Sequence, residues 1–235
     1  MVPAGRTSRR QDAAILTFTR TQALTERLKQ LTASEALHLD ASTPFETSNQ
    51  MCAIDSVEAV FIEINGPTVI DESLDLVKKI RRVSHAANIF MLFTHAKSFS
   101  GVKYYLAGAD HCIKLPNDQA EKTNLLSTIF HDSMWKEKIK LILDRTRLLL
   151  HADTNKIEIS YTEMTILDAL LKAPQHVMSQ ESIAKALNPD VVFYDPRALE
   201  KTISRLRTKI RAAYNIELIY SVRSFGYRMR RGIIS

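Results

Sequence analysis

The chain has 235 residues, room for two small domains or one large one, and its apolar fraction of 45% excludes disorder throughout. It carries 32 Lys+Arg against 26 Asp+Glu, but residues 136–235 hold 18 against 11 while the first 135 hold 14 against 15. A polyanionic partner is therefore expected for the C-terminal part alone, and no stretch is apolar for the length that spans a bilayer. Residues 1–11 lack the apolar run of a secretion signal and read as a flexible basic tail, which implies a cytoplasmic protein. Cys52 and Cys112 have no ligand partner at short spacing, so both are expected as free thiols, with no metal and no cofactor.

Short apolar runs then recur at 13–18, 36–39, 59–64, 89–93 and 111–115. Between most of them, apolar residues return at helical spacing: Leu24, Leu28 and Leu31; Leu74, Val77 and Ile80; Leu125, Leu126, Ile129 and Phe130. The segment between the second and third runs is weakly patterned, and no helix is placed there. Strands that are apolar throughout, separated by helices, predict an α/β doubly wound domain with a parallel sheet covered on both faces. Ligands of such sheets sit at the C-terminal strand ends.

Residues 134–138 join this part to the next. Short strands are predicted at 140–143, 147–150 and 156–159, with a turn at 153–155. Ser160 and Glu163 have capping-box spacing at the start of a helix whose core face is Met164, Leu167, Leu170 and Leu171. It should end near Ala173, because Pro174 disfavours helix before it. Ser179 starts another helix, carrying Ile183, Ala186 and Leu187. A loop at 188–195 follows, in which Asp195 is the N-cap candidate and Pro196 suits the first helical position.

The next helix, 197–211, is basic and amphipathic. Leu199, Ile203, Leu206 and Ile210 share one face; Arg197, Lys201 and Arg205 repeat every four residues on another, with Arg207, Lys209 and Arg211 beside them. A hairpin over 218–229 follows, turning at Ser224, Phe225 and Gly226 with Arg223 near its tip. The bland reading of such a run is a solvated face. Against it, only Glu200 offsets the cations of this helix, and Arg223, Arg228, Arg230 and Arg231 lie just downstream. A helix that fits the major groove, followed by a basic hairpin that reaches a minor groove, is a DNA-reading device.

The order and motifs of the N-terminal part resemble the receiver domain of bacterial two-component response regulators. The segments that carry the resemblance are 61–67 (FIEINGP), 93–96 (FTHA) and 108–116 (GADHCIKLP). The C-terminal part, nearly all of 138–230, resembles the winged-helix effector domain of the OmpR/PhoB type. There the matching segments are 159–164 (ISYTEM), 177–183 (VMSQESI), 197–209 and 220–228 (YSVRSFGYR), with Ser224 where glycine is usual. The resemblance implies a receiver-like regulatory domain over 1–134 and a DNA-binding domain over 138–235.

In that frame the phosphoacceptor position is Glu63, and Thr19 and Arg20 stand where two acidic residues would hold Mg²⁺. Leu115 replaces the expected lysine, with Lys114 one residue early, and only Thr94 remains in place. Mg²⁺-dependent phosphorylation is therefore not expected, and Arg20 either pairs with Glu63 or points to solvent. The resemblance implies DNA contacts from Arg197, Lys201, Ser204, Arg205, Arg207 and Lys209, with Arg223 entering a minor groove. Tyr227 is expected in the wing core. It also implies homodimers through roughly 101–133, where Tyr105, Leu106, Ile113 and Leu126 are candidates or ordinary core. Loop 188–195 would touch RNA polymerase, through Val191, Val192, Phe193 and Tyr194 if these are exposed; packing is expected for Phe193. The leading expectation is a DNA-binding transcription regulator at the nucleoid, acting on promoter repeats without phosphorylation. The alternatives are a sensor that uses the pocket near Thr19, Glu63 and Thr94 for a ligand or partner, and a phosphorylation-dependent regulator. An enzyme is not expected: no Gly-rich phosphate loop and no His/Cys/Asp cluster has the required spacing.

Overall fold

The computed structural model describes residues 15–32, 36–40, 57–94, 100–131, 139–153 and 155–234. The expectations for the tail, for the segment before the third strand and for the join at 134–138 lie outside them.

Five parallel strands form the first sheet: β1 (Ile15–Thr19), β2 (Ala36–Asp40), β3 (Ala59–Ile64), β4 (Asn88–Phe93) and β5 (His111–Lys114), in the order β2-β1-β3-β4-β5. Side chains alternate between the faces of a strand. Leu16, Phe18, Val60 and Ile62 therefore pack with Val77 and Ile80 of α2 (Ile70–Val83). Ile15, Phe61 and Leu92 pack on the other face with Leu24 and Leu28 of α1 (Gln22–Thr32). Leu126 and Phe130 of α4 (Gln119–His131) complete that side. The short α3 (Gly101–Ala107) precedes edge strand β5 and ends at Gly108, whose φ of 117° is left-handed.

The second domain has an antiparallel sheet of β6 (Ile142–Asp144), β7 (Leu149–His151) and β8 (Lys156–Glu158). Then come α5 (Tyr161–Lys172), a 3-10 turn at Pro174–His176, β9 (Val177–Ser179), α6 (Gln180–Leu187) and α7 (Pro196–Tyr214). The hairpin of β10 (Ile219–Val222) and β11 (Gly226–Met229) closes the chain. Ser160 and Glu163 form the anticipated capping box on α5, and Asp195 caps α7 by accepting from the Arg197 N–H. Leu199, Ile203, Leu206 and Ile210 all face one core with Ile166, Leu167 and Ile183.

β9 was not anticipated. Its three residues are too few to show alternation, yet it pairs with β11 and makes the wing three-stranded, in the order β10-β11-β9. The pairing requires Gly226: a Cβ there would stand 2.2 Å from the Met178 carbonyl oxygen. The expected packing of Phe193 is overturned. Its side chain is 91% exposed and Val192 is 83% exposed, while Tyr194 folds back onto the core. The architecture is a receiver-like α/β doubly wound domain followed by a winged helix.

Candidate nucleic-acid interface and strand-end pocket

The helical period of α7 sorts its polar residues by their angle to the core. Arg197, Lys201, Ser204 and Arg205 are exposed on one continuous outer face. Arg223 is exposed at the turn between β10 and β11, where Ser224 takes a left-handed φ of 59°. The serine is strained where glycine would not be, but the turn closes, with the Phe225 N–H donating to the Val222 carbonyl at 3.0 Å.

Arg207 and Lys209 behave differently. Arg207 donates from Nε to the Ile219 carbonyl at 2.8 Å and from Nη2 to Ser221 Oγ at 3.0 Å, and lies 5.5 Å from the Tyr227 ring centroid. It ties the helix to the wing. Lys209 donates to Glu163 Oε2 at 2.7 Å and to the Glu158 carbonyl at 3.3 Å, joining α7 to the start of α5. Tyr227 is buried in the wing core, as expected.

The model of the family described as "Transcriptional regulatory protein, C terminal" matches residues 154–229. The chain is 26% identical over 159 residues to a protein named two-component response regulator PhoP from Pseudomonas aeruginosa PAO1, covering 66% of this chain and 71% of that protein. It is 25% identical over 162 residues to the transcriptional regulatory protein PhoP of Escherichia coli K12, covering 67% and 73%. The chain is thus similar to transcriptional response regulators, and its C-terminal part to their C-terminal domain. The names of these relatives describe a two-component response regulator and a transcriptional regulatory protein. The solved structure of the Thermotoga maritima OmpR/PhoB homologue DrrB is 18% identical and covers 92% of this chain and 97% of its own, at a TM-score of 0.37.

The strand-end pocket of the first sheet is built around Glu63, which is 1% exposed. Its Oε2 accepts from the backbone N–H groups of Arg20 at 2.7 Å and Thr21 at 2.8 Å. Its Oε1 accepts from the Thr21 hydroxyl and, at 3.4 Å, from Thr94 Oγ1. The carboxylate thus caps the N-terminal end of α1, where free N–H groups and the helix dipole favour an anion. The Arg20 guanidinium reaches Glu72 at 2.7 Å, so its side chain neither points freely to solvent nor is needed to satisfy Glu63. Thr19 is buried and shares a 2.6 Å hydrogen bond with Thr25.

Lys114 is exposed at the last position of β5, and Leu115 beyond it is buried beside Ile15 and Leu126. Thr21, which makes two of the Glu63 contacts, was missed by sequence reasoning. No motif marks it, because its role follows from where the β1–α1 turn passes the end of β3. Among the described residues, no group of three or more His, Cys, Asp or Glu is placed to hold a metal ion. Also among them, no helix is long and apolar enough to cross a membrane. An open cleft of about 340 Å³ lies beside the pocket, lined by Thr19, Arg20, Thr25, Glu26, Lys29 and His38. Burial pushes the Cys112 thiol up to about 12, so it stays protonated.

Proposed function

We propose that this protein is a homodimeric, phosphorylation-independent transcription regulator of the cytoplasmic nucleoid that reads promoter repeats. The observation that carries the reading is the single outer face of α7, where Arg197, Lys201, Ser204 and Arg205 stand exposed with Arg223 at the adjoining hairpin tip. In this reading α7 enters a major groove and Arg223 an adjacent minor groove. Arg207 and Lys209 support the helix from within, and their contact with DNA is secondary. The exposed Val192 and Phe193 form the surface offered to RNA polymerase.

Glu63 supports independence from phosphorylation. Switching a receiver requires a new anion held by cations and a metal. Here a carboxylate built into the chain already satisfies the start of α1, and Thr19 and Arg20 supply no hard oxygen cage for Mg²⁺. Leu126 is 0% exposed and serves as core, which leaves half-exposed Leu106 as the apolar contact of α3 for a partner subunit. Acetyl phosphate with Mg²⁺ should leave no phosphoryl adduct by mass spectrometry and unchanged operator affinity. Light scattering at micromolar concentration should give a dimer without any phosphodonor. A stoichiometric adduct on an N-terminal carboxylate with tighter binding, or a monomer, would overturn the corresponding part.

A further inference from the structure

The two domains meet where α3 and edge strand β5 face the wing sheet, and the contact is built on buried charge. Asp110 is 3% exposed. Its Oδ2 accepts from Arg81 Nη2 at 2.7 Å and from the Ile89 N–H at 2.9 Å; its Oδ1 accepts from Arg231 Nε at 3.0 Å. Arg81 belongs to the receiver-like domain and Arg231 to the DNA-binding domain. Arg231 also donates from Nη2 to the Gln175 carbonyl at 2.7 Å and to Gln175 Oε1 at 3.0 Å. Burial alone would raise the Asp110 carboxyl, but Arg81, Arg231 and Arg228 hold it below the ordinary range. Arg228 lies 4.2 Å from the Tyr220 ring centroid and 5.3 Å from that of Tyr105, one ring from each domain. Gly108 permits the approach, since a Cβ there would stand 3.0 Å from both Arg81 Cγ and Gln175 Oε1.

His111 sits inside this contact. Its ring stacks on Phe90 with centroids 4.5 Å apart and meets Tyr220 edge-on at 5.9 Å. From its own strand region it faces Asp110, with Cys112 beside it; from the DNA-binding domain it faces Arg228, Arg230 and Tyr220. Tyr105 of α3 closes the group over Arg228. Burial, then Arg228, then Arg230 push the imidazole down to about 3, with Asp110 opposing them. His111 is therefore neutral in the closed contact, and both guanidiniums that depress it arrive with the second domain.

We propose that this contact is an acid-released interdomain latch, closed by the Asp110–Arg231 pair and the Tyr105–Arg228–Tyr220 stack and opened by protonation of His111. A depressed imidazole in the closed state means that closure is fully present above its ordinary value of about 6.5. It then weakens about tenfold for each pH unit below that. The outer face of α7 stays exposed in the closed form. The latch therefore sets the orientation of the reading helix relative to the receiver-like domain and does not cover it.

Single-molecule energy transfer on the full chain tests this, with dyes on non-native residues at exposed Lys78 and Lys185 and both cysteines left in place. From pH 7.5 to 5.0 the closed-to-open ratio of the wild type should fall by about 30-fold. His111→Phe keeps a ring to stack and cannot be protonated, so its ratio should fall less than about threefold. Arg231→Ala should be mostly open at pH 7.5. If the wild type opens too rarely to count, the Gln175→Ala background removes one acceptor of Arg231 and should show the same fall. Equal pH dependence in wild type and His111→Phe overturns the proposal, as does a flat ratio in both backgrounds. Loss of circular dichroism before the domains separate also counts against it.

Discussion

The basic residues at the outer face of α7 and those on its flank and just beyond β11 share composition but not circumstance. Arg197, Lys201 and Arg205 extend into solvent, while Arg207, Lys209 and Arg231 are bound to carbonyls and carboxylates of the protein itself. A cation of the first kind keeps its hydration until a phosphate or base edge replaces it. One of the second kind has already exchanged water for protein, and its removal leaves a partner unsatisfied. Net charge therefore overstates what is available to DNA, and the useful quantity is the set of cations still in water.

Substitution separates the two kinds. The largest effect is expected at the buried anion: Asp110→Ala strands Arg81 and Arg231 and should lower unfolding stability in urea by about 3–5 kcal/mol. Its recognition helix should still bind DNA at temperatures where the chain is folded. Next is Arg205→Ala, which should weaken specific binding by about 1–3 kcal/mol in titrations and leave the urea midpoint unchanged. An altered midpoint would place Arg205 among the bound cations. Arg207→Ala should do the converse, costing about 1–3 kcal/mol of stability through the unpaired Ile219 carbonyl and the lost wing contact. Smallest is Arg223→Ala, whose loss should be confined to A·T-rich flanks and should shallow the salt dependence by about one phosphate contact. A uniform loss across flanking sequences would move Arg223 out of the minor groove.

Periodicity made much of this legible in the sequence. The central strands β3 and β4 are almost wholly apolar because both faces are covered, and the core stripe of α7 repeats over three turns, so neither depends on distant partners. The caps at Ser160 and Asp195 are equally local. What escaped notice is set by residues far apart in the chain. Thr21 meets Glu63 across 42 positions, Lys209 meets Glu163 across 46, and Arg231 meets Asp110 across 121. Asp110 lies within a segment that resembles the one leading through the fifth strand of receivers, but no local pattern says that it would bridge two domains. Phe193 misled for a related reason: apolar character predicts burial on average, and the loop before α7 turns it outward.

Gly226 carries a consequence for the genetics of this chain. Nineteen alternatives exist at that codon's position, and every one brings a Cβ or a ring into the 2.2 Å gap before the Met178 carbonyl. β11 would have to leave β9, and with it would go the strand that bears Tyr227 and Arg228. Gly66 has no atom within 4 Å of a built Cβ and an extended backbone that any residue adopts. In a saturation library selected for function, position 226 should therefore return a single surviving residue, and position 66 nearly the whole alphabet.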